Sequence, residues 1–254
     1  MEKEMPMKII ISPAKKMVEN TDDFVANRLP DLLSNATEIL TYLKQLNYYE
    51  LQRLWKCNDD LAKLNYERVQ GMELTKLLTP AILAYQGIQY QYMAPQVMEK
   101  EALDYLSNHL CILSALYGVL RPFDGVTPYR LEMQAKACVL QTKDLYEYWG
   151  SRIYDKVSKD TNLIINLASK EYSKCIERYL THEVTMVTCV FGEIVDGKIK
   201  EKGTYAKMAR GEMVRFMAET KVETLEQLTK FDRLGYRYNK EGSDEKTMIF
   251  VKED

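Results

Sequence analysis

The stretch that decides the fold is KIIIS at residues 8–12, which is followed directly by Pro13. Three consecutive isoleucines suit a strand that is buried on both faces of a sheet. Proline ends such a strand because it has no N–H to offer to the hydrogen-bond ladder. Two similar runs follow, LCIL at 110–113 and LIINL at 163–167. We therefore expect a central, at least partly parallel sheet built on these three strands.

Helical patterns lie between the first two of these strands. Apolar residues recur there at three- and four-residue spacing, which is typical of helices with one buried face. The pattern predicts helices at 31–46, 48–56, 58–69, 73–85 and 99–107. Residues 31–108 are therefore predicted to form a mainly helical insert after the first strand.

The second half of the chain alternates strands and helices. Residues 115–118 extend the second strand towards a turn at 121–125, and Asp196-Gly197 is a strong hairpin signal. The remaining predictions are helices at 142–158 with Thr142 as N-cap, from Ser169 to Leu180, at 204–220 and at 224–231, and strands at 184–195, 199–202 and 247–252. The sequence predicts an α/β (mixed α+β) fold in one domain over residues 1–254, with residues 1–6 as a loose N-terminal extension.

The composition excludes several classes of protein. The 254 residues carry 35 Lys+Arg against 37 Asp+Glu, a net charge of -2, so the strong basic excess of many nucleic-acid-binding domains is missing. Any anion site must then come from local clustering of cations. The chain has no run of 18 apolar residues and no apolar stretch after Met1 that resembles a signal peptide. We therefore expect a cytoplasmic protein with no membrane partner.

Five cysteines and two histidines form no CxxC pair and no zinc-ligand spacing. We therefore predict no metal site and no cofactor, and thiols that stay unpaired. A peroxide-sensing thiol at Cys57 or Cys175 is the alternative, because both lie in polar surroundings. No nucleophile–base pair stands out, and His109 and His182 are interpreted as structural. The sequence leaves open whether the protein is an enzyme.

Polar side chains follow the three predicted strands, and in an open parallel sheet ligands bind at the carboxyl ends of the strands. We expect a cleft there that binds phosphate, with a helix N-terminus at Ser169. A second cationic pair, Lys207 and Arg210, shares a helix face. The candidate phosphate-binding residues are Lys15, Arg121, Arg130, Asn166, Ser169, Lys207 and Arg210, and the candidate acid/base groups or ion-pair partners are Asp124, Glu132 and Glu171. The alternative is that each is a local cap, turn or ion pair.

The stretch YQGIQY at 85–90 places tyrosines on both sides of Gly87. Aromatic rings beside a basic groove can stack on nucleic-acid bases. Two helices joined at a glycine turn would also suit a helix-hairpin-helix, which presents backbone N–H groups to a phosphate. Simple packing of these rings is the alternative interpretation.

Six blocks resemble one known family. They are KIIISPAK at 8–15, ILSALYGVLRP at 112–122, PYRLEM at 128–133, LYEYWG at 145–150, NLASKEY at 166–172 and YAKMARG at 205–211. In this order they are similar to the bacterial peroxide stress response protein YaaA family over nearly the whole chain. The chain differs at Ala115 and Gln134, where glycine is common in the family.

The resemblance implies a cytoplasmic protein that protects cells from hydrogen peroxide and helps to limit free intracellular iron. It also implies an α/β fold with a positively charged cleft, a helix-hairpin-helix and binding to DNA. From the residues, an enzyme acting on a nucleotide or a phosphorylated small molecule in the same cleft stays as the alternative. Direct sequestration of iron is less favoured, because histidines are few and the cysteines are not clustered.

Overall fold

The computed structural model describes residues 5–19, 26 and 28–253, so most of the expected loose extension at 1–6 lies outside the described residues. The strands are β1 (Lys8–Ile11), β2 (Lys16–Met17), β3 (Thr79–Pro80), β4 (Tyr85–Gln86), β5 (Leu110–Ser114), β6 (Gly118–Leu120), β7 (Gly125–Val126), β8 (Leu163–Leu167), β9 (Thr185–Val195), β10 (Lys198–Lys200), β11 (Tyr236–Asn239) and β12 (Thr247–Lys252). The helices are α1 (Leu33–Gln45), α2 (Tyr48–Trp55), α3 (Asp59–Gly71), α4 (Ala81–Ala84), α5 (Ile88–Met93), α6 (Lys100–His109), α7 (Leu145–Trp149), α8 (Arg152–Ser158), α9 (Lys170–Glu177), α10 (Gly203–Thr220) and α11 (Leu225–Leu228).

The three predicted central strands are neighbours in one sheet. Within the described residues this sheet has eight strands in the order β11-β12-β9-β8-β1-β5-β6, with β10 paired to β9. β1 runs parallel to β5 on one side and to β8 on the other, and β8 and β9 are also parallel. The outer pairs β5–β6 and β11–β12 are antiparallel. The mixed α/β fold with a mostly parallel central sheet is confirmed.

The isoleucines of β1 explain its central position. Ile9, Ile10 and Ile11 are completely buried, and the facing residues of β5 and β8 are buried as well. Because parallel neighbours end at the same edge of a sheet, the residues after β1 and β8 meet there. This edge carries Ser12 and Ser169.

The helical insert departs from the prediction over residues 73–85. Only α4, a helix of four residues, forms there, between the short strands β3 and β4. Pro80 does not suit a helix interior, and the φ of 52° at Leu77 is incompatible with a helix in the first half of the predicted stretch. The predicted helices that became α1, α2, α3 and α6 are confirmed to within two residues. The single domain over 1–254 stays a prediction.

The chain reverses after β5 instead of extending to residue 118. Ser114 Oγ accepts a hydrogen bond from the Tyr117 backbone N at 2.9 Å, and Gly118 has a φ of 74°. β6 then returns antiparallel to β5, with Leu120 opposite Ile112. This reversal determines the positions of Arg121 and Asp124, which follow β6.

The predicted helix at 142–158 is two helices. Gly150, with a φ of 52°, separates α7 from α8, and the cap is Asp144, whose side chain accepts from the Glu147 N at 2.9 Å. Thr142 as N-cap was therefore wrong. The hairpin at Asp196-Gly197 is confirmed, since both residues have positive φ and join β9 to β10.

Aromatic rings pack together beside β9 and β12. Phe191 stacks on Phe250 at 5.2 Å, and Phe231 packs edge-on against both. The strand β11 beside them was not predicted, because the alternation of tyrosine and polar residues in YRYN extends over only four residues. No helix in the described part of the chain is both long and apolar enough to cross a membrane.

Candidate functional site

A cleft of about 540 Å³ lies at the carboxyl ends of β1 and β8. Its walls come from the loop after β1, the start of α5, residues 129–132, the start of α9 and one face of α10. These segments are distant in the sequence and are brought together by the parallel sheet. The cleft size falls in the range that holds a nucleotide-sized ligand.

Ser12 and Ser169 join the two strand ends at the cleft. Ser12 Oγ accepts a hydrogen bond from the Ser169 backbone N at 2.8 Å and donates to Ser169 Oγ at 3.1 Å. Tyr90 donates its hydroxyl to the Ser12 carbonyl at 2.9 Å, which ties α5 to the same point. Ser169 is the N-cap residue of α9, although its side chain makes no capping bond. The first N–H groups and the positive dipole end of α9 therefore lie at this edge.

The opposite wall is the pair α5 and α10, which pack closely. Gly211 on α10 lies so near α5 that an added Cβ would be 2.2 Å from the Gln89 carbonyl oxygen. The Gln89 side chain donates to the Leu167 carbonyl at 3.4 Å, so α5 is also anchored to the end of β8. This packing places Lys207 and Arg210 of α10 on the cleft.

Cations from three segments line the cleft. They are Lys15, Lys16, Arg130, Lys207 and Arg210. Among the described residues, the Nε atoms of Arg130 and Arg210 are buried and have no hydrogen-bond partner. A buried donor without an acceptor is unfavourable, typically by about 1–3 kcal/mol. A bound anion would supply acceptors at this place.

Two carboxylates lie in the same cleft beside the cations. Glu132 forms an ion pair with Lys15 at 2.9 Å. Glu171 accepts from the Gln134 backbone N at 3.2 Å, while the Gln134 side chain donates to Glu132 at 3.3 Å, so one residue contacts both carboxylates. Burial raises the pKa of Glu171, and the neighbouring charge of Glu132 raises it further.

Three candidate residues lie elsewhere. Arg121 pairs with Asp124 at 3.0 Å and with Asp31 at 2.8 Å, and neither Arg121 nor Asp124 is among the described residues that line the cleft. The reason is the reversal after β5, which carries Arg121 back towards the amino end of that strand. Arg121 and Asp124 therefore form a local ion pair, which was the alternative interpretation of these two residues.

Asn166 is also outside the cleft lining. It lies within β8, opposite Ile10, and not at the strand end. Its side chain accepts from the Ala168 backbone N at 2.9 Å and donates to Thr188 at 3.1 Å. Asn166 therefore shapes the turn that leads to Ser169.

The sequence candidates in the cleft are Lys15, Arg130, Glu132, Ser169, Glu171, Lys207 and Arg210. Tyr129 and Tyr172 also line it and were not predicted, because tyrosines are frequent in this chain and carry no spacing signal. The Tyr129 hydroxyl contacts Ser114 at 2.7 Å and Tyr85 at 3.0 Å. Burial raises the pKa of Tyr129 to about 12, so it is a neutral phenol at pH 7.

The glycine segment at 85–90 forms one edge of the cleft. β4 pairs with β2, and Gly87 then starts α5. A Cβ at Gly87 would be 3.0 Å from Ala14 Cβ, so the glycine allows α5 to approach the loop after β1. The helix before it, α4, has four residues. The helix-hairpin-helix interpretation stays a prediction.

His109 and three of the five cysteines are buried. No cluster of three or more metal-ligating side chains occurs within the described ranges. His109 is buried, stacks on Tyr105 at 4.0 Å and contacts the Met7 carbonyl at 2.9 Å through Nδ1. Cys57 is half-buried and Cys138 is exposed. The remaining three cysteines, Cys111, Cys175 and Cys189, are buried.

We expect the buried cysteines to be unreactive in the folded protein. Burial raises the pKa of Cys111 to about 11 and the pKa of Cys175 and of Cys189 to about 12. For Cys175 and Cys189 this lowers the thiolate fraction at neutral pH by roughly 1000-fold relative to a free cysteine. Iodoacetamide labelling read by mass spectrometry should modify Cys138 and spare the three buried thiols until urea is added. Rapid labelling of Cys175 in the native protein would instead support the peroxide-sensing thiol.

The chain is similar to known proteins over nearly its whole length. Residues 7–242 match the family described as peroxide stress protein YaaA. The UPF0246 protein of Lachnoclostridium phytofermentans is 58% identical over 246 residues, which cover 97% of this chain and 96% of that protein. The UPF0246 protein of Pediococcus pentosaceus is 53% identical over 248 residues, which cover 98% of this chain and 99% of that protein. Because these matches extend over nearly the whole chain, it belongs to the peroxide stress protein YaaA family.

Proposed function

We propose that this protein acts in the cytoplasm in the response to peroxide by binding DNA, with phosphates of the DNA held in the cation-lined cleft. Cations that neutralise phosphates displace the metal ions that surround DNA. Fe²⁺ held at those phosphates would be displaced with them, which lowers the iron at the DNA itself, and limitation of free intracellular iron is a separate part of the proposal. A helix-hairpin-helix around Gly87 would be a part of the same binding surface.

The observation that carries this proposal is the convergence of five cations on one cleft. They come from three separate segments, in a chain whose net charge is -2, and are Lys15, Lys16, Arg130, Lys207 and Arg210. Exposed charges are screened beyond about 8 Å at physiological salt, so the overall charge neither attracts nor repels DNA at a distance. Local contacts to phosphates must then supply the affinity.

A second candidate is favoured by the size and lining of the cleft. A concavity of about 540 Å³ suits one nucleotide better than a duplex, and two carboxylates lie within it. An enzyme acting on a nucleotide or a phosphorylated small molecule would need only two or three convergent cations. The two candidates share phosphate recognition and differ in whether a polymer is bound.

The salt dependence of DNA binding tests the first candidate. With about four phosphate contacts, log K against log salt should fall with a slope of about -3.6 for a duplex. Changing Lys207→Ala and Arg210→Gln together should make the slope shallower by about 1.8, because each lost phosphate contact contributes about 0.9. Fluorescence anisotropy with a labelled duplex at several salt concentrations measures both slopes.

The matched control removes one arginine and one lysine far from the cleft. Arg53 on α2 and Lys63 on α3 are exposed. Changing Lys63→Ala and Arg53→Gln together should leave the affinity and the slope as in the unchanged protein. A slope near zero in the unchanged protein, or equal losses in the two double variants, would rule out binding through the cleft.

A further inference from the structure

A second concavity, of about 300 Å³, lies beside the cation-lined cleft. The two concavities share Gln86, Gly87 and Tyr90, which lie at the end of β4 and at the start of α5. They therefore adjoin at this point, and Gly87 has no side chain that could separate them. A ligand bound in the cleft can extend from there into the second concavity.

None of the described residues that line this second concavity carries a charge, and we call it the uncharged pocket. The cleft differs from it, because cations and carboxylates line the cleft together. A charged group that left water for the uncharged pocket would find no ion-pair partner there, which is unfavourable. The uncharged pocket therefore suits a neutral part of a ligand.

Two tyrosine rings form a part of the wall of the uncharged pocket. Tyr85 and Tyr90 are buried, and their ring centroids are 5.5 Å apart. Their hydroxyls are already bonded, that of Tyr85 to the Tyr129 hydroxyl at 3.0 Å and that of Tyr90 to the Ser12 carbonyl at 2.9 Å. What the two residues offer to a ligand is therefore the carbon surface of their rings, on which a flat aromatic group can pack.

Three glutamine side chains bring hydrogen-bonding groups to the same pocket, namely those of Gln86, Gln91 and Gln96. All three are exposed, and within the described part of the chain their amides have no hydrogen-bond partner. A glutamine amide has both donors and an acceptor, and it can pair with the edge of adenine through both. Ring surface together with free amides is the combination that recognises an unpaired nucleobase.

Lys16 connects the cleft to the uncharged pocket. It lies opposite Gln86 in the β2–β4 pair, so the two side chains leave the same face of this pair. Lys16 is exposed and has no ion pair with any described residue, whereas Lys15 is held by Glu132 at 2.9 Å. In a nucleotide, one sugar separates the phosphate from the base. A phosphate bound by Lys16 can therefore place its own base beside Gln86.

We propose that the uncharged pocket binds an unpaired base of the DNA whose phosphates lie in the cleft. The inference rests on the proposed function, because it needs a nucleotide phosphate at Lys16. A base that is stacked inside a duplex cannot reach a pocket in the protein, so the strand must be single or the nucleotide must leave the stack. An unpaired nucleotide also suits a cleft of about 540 Å³, which is small for a duplex. The uncharged pocket then adds a preference for unpaired positions to the binding of phosphates by cations.

Fluorescence anisotropy with three labelled duplexes tests this inference. The first duplex carries a single unpaired adenine, the second carries an abasic residue at the same position, and the third is fully paired. The protein should bind the adenine probe about 10-fold more tightly than the abasic probe, which is the lower range for stacking one base on an aromatic side chain. The abasic and the fully paired probes should bind alike, because neither offers a base to the pocket.

Changing Gln91→Ala and Gln96→Ala together tests where the base is bound. Both residues line the uncharged pocket and neither lines the cleft, so the salt dependence of binding should stay as in the unchanged protein. The preference for adenine should fall to about 2-fold, because one hydrogen bond to the base contributes roughly a factor of five. The matched control is Gln45→Ala with Gln70→Ala, two exposed glutamines on α1 and α3, and it should keep the full preference.

Equal affinity of the unchanged protein for the adenine and abasic probes would overturn the inference and leave the proposed function intact. A preference for adenine that survives the change of Gln91 and Gln96 would place the base elsewhere and would also overturn it. If no duplex is bound, the DNA proposal fails, and calorimetry with deoxyadenosine monophosphate and with deoxyribose phosphate decides for the pocket alone. Tighter binding of the nucleotide would then support the pocket, and equal binding would overturn it.

Discussion

Replacing Trp149 by alanine should lower the free energy of unfolding by about 4 kcal/mol, within the range for large buried aromatic residues. Trp149 is completely buried, and its indole N–H donates to the Ala115 carbonyl at 3.0 Å. Its ring also fills the space beside Gly118, where a Cβ would be only 2.9 Å from the ring. The variant would lose this packing and leave a buried carbonyl without its donor.

Urea denaturation followed by circular dichroism measures this loss. Tyr49→Ala is a suitable control, because the Tyr49 side chain is 73% exposed, and it should change stability by less than about 1 kcal/mol. Trp149→Phe should fall between the two, since it keeps a ring but lacks the N–H donor. A loss below about 1 kcal/mol for Trp149→Ala would show that α7 does not pack on the β5–β6 turn as described.

Gly211→Ala should destabilise the protein by about 3 kcal/mol, the upper range for overpacking, because the added methyl group meets backbone atoms. Its Cβ would lie 2.2 Å from the Gln89 carbonyl oxygen and 3.0 Å from the Met93 N, so α5 and α10 must separate. Alanine is favoured over glycine in a helix by about 1 kcal/mol, which offsets only a part of the cost. Separation of the helices would also displace Lys207 and Arg210 from the cleft.

The same substitution at Gly203 is the matched control. Gly203 is on the same helix, and an added Cβ there has no atom within 4 Å. Gly203→Ala should therefore leave stability unchanged or raise it by up to about 1 kcal/mol. Equal urea midpoints for the two variants would contradict the close packing of α5 against α10. Weaker DNA binding by Gly211→Ala under conditions where it remains folded would connect this packing to the cleft.

The candidate site was predictable where it depends on parallel strands. Lys15 and Ser169 follow β1 and β8, and parallel neighbours bring their carboxyl ends to one edge. The same reasoning was wrong for Arg121, because the chain reverses at Ser114 and β6 runs back along β5. Ser114 with a hydrogen bond to Tyr117 and Gly118 with positive φ are local features, and the apolar pattern of 110–118 masks them.

Some parts of the cleft had no signal in the local sequence. Gln89 and Gly211 are more than 100 positions apart, and nothing near either residue indicates that α5 and α10 are in contact. The convergence of Lys207 with Lys15 depends on this contact. The pairing of Gln134 with both Glu132 and Glu171 likewise depends on a loop conformation that carries no periodic pattern.

Residue order and local chemistry were enough to predict the central strands, most helices and the Asp196-Gly197 hairpin, because each rests on short-range patterns of apolar and turn residues. The family was predicted separately, from the resemblance of six sequence blocks to a known family. The three-dimensional packing alone decided which cations share a cleft and which lie outside it. The reason is that charge carries no periodicity along the chain: Arg121 and Arg130 are equally cationic in the sequence. Arg121 follows a strand that runs back along β5 and pairs with Asp124 and Asp31, whereas Arg130 lies in the segment that lines the cleft.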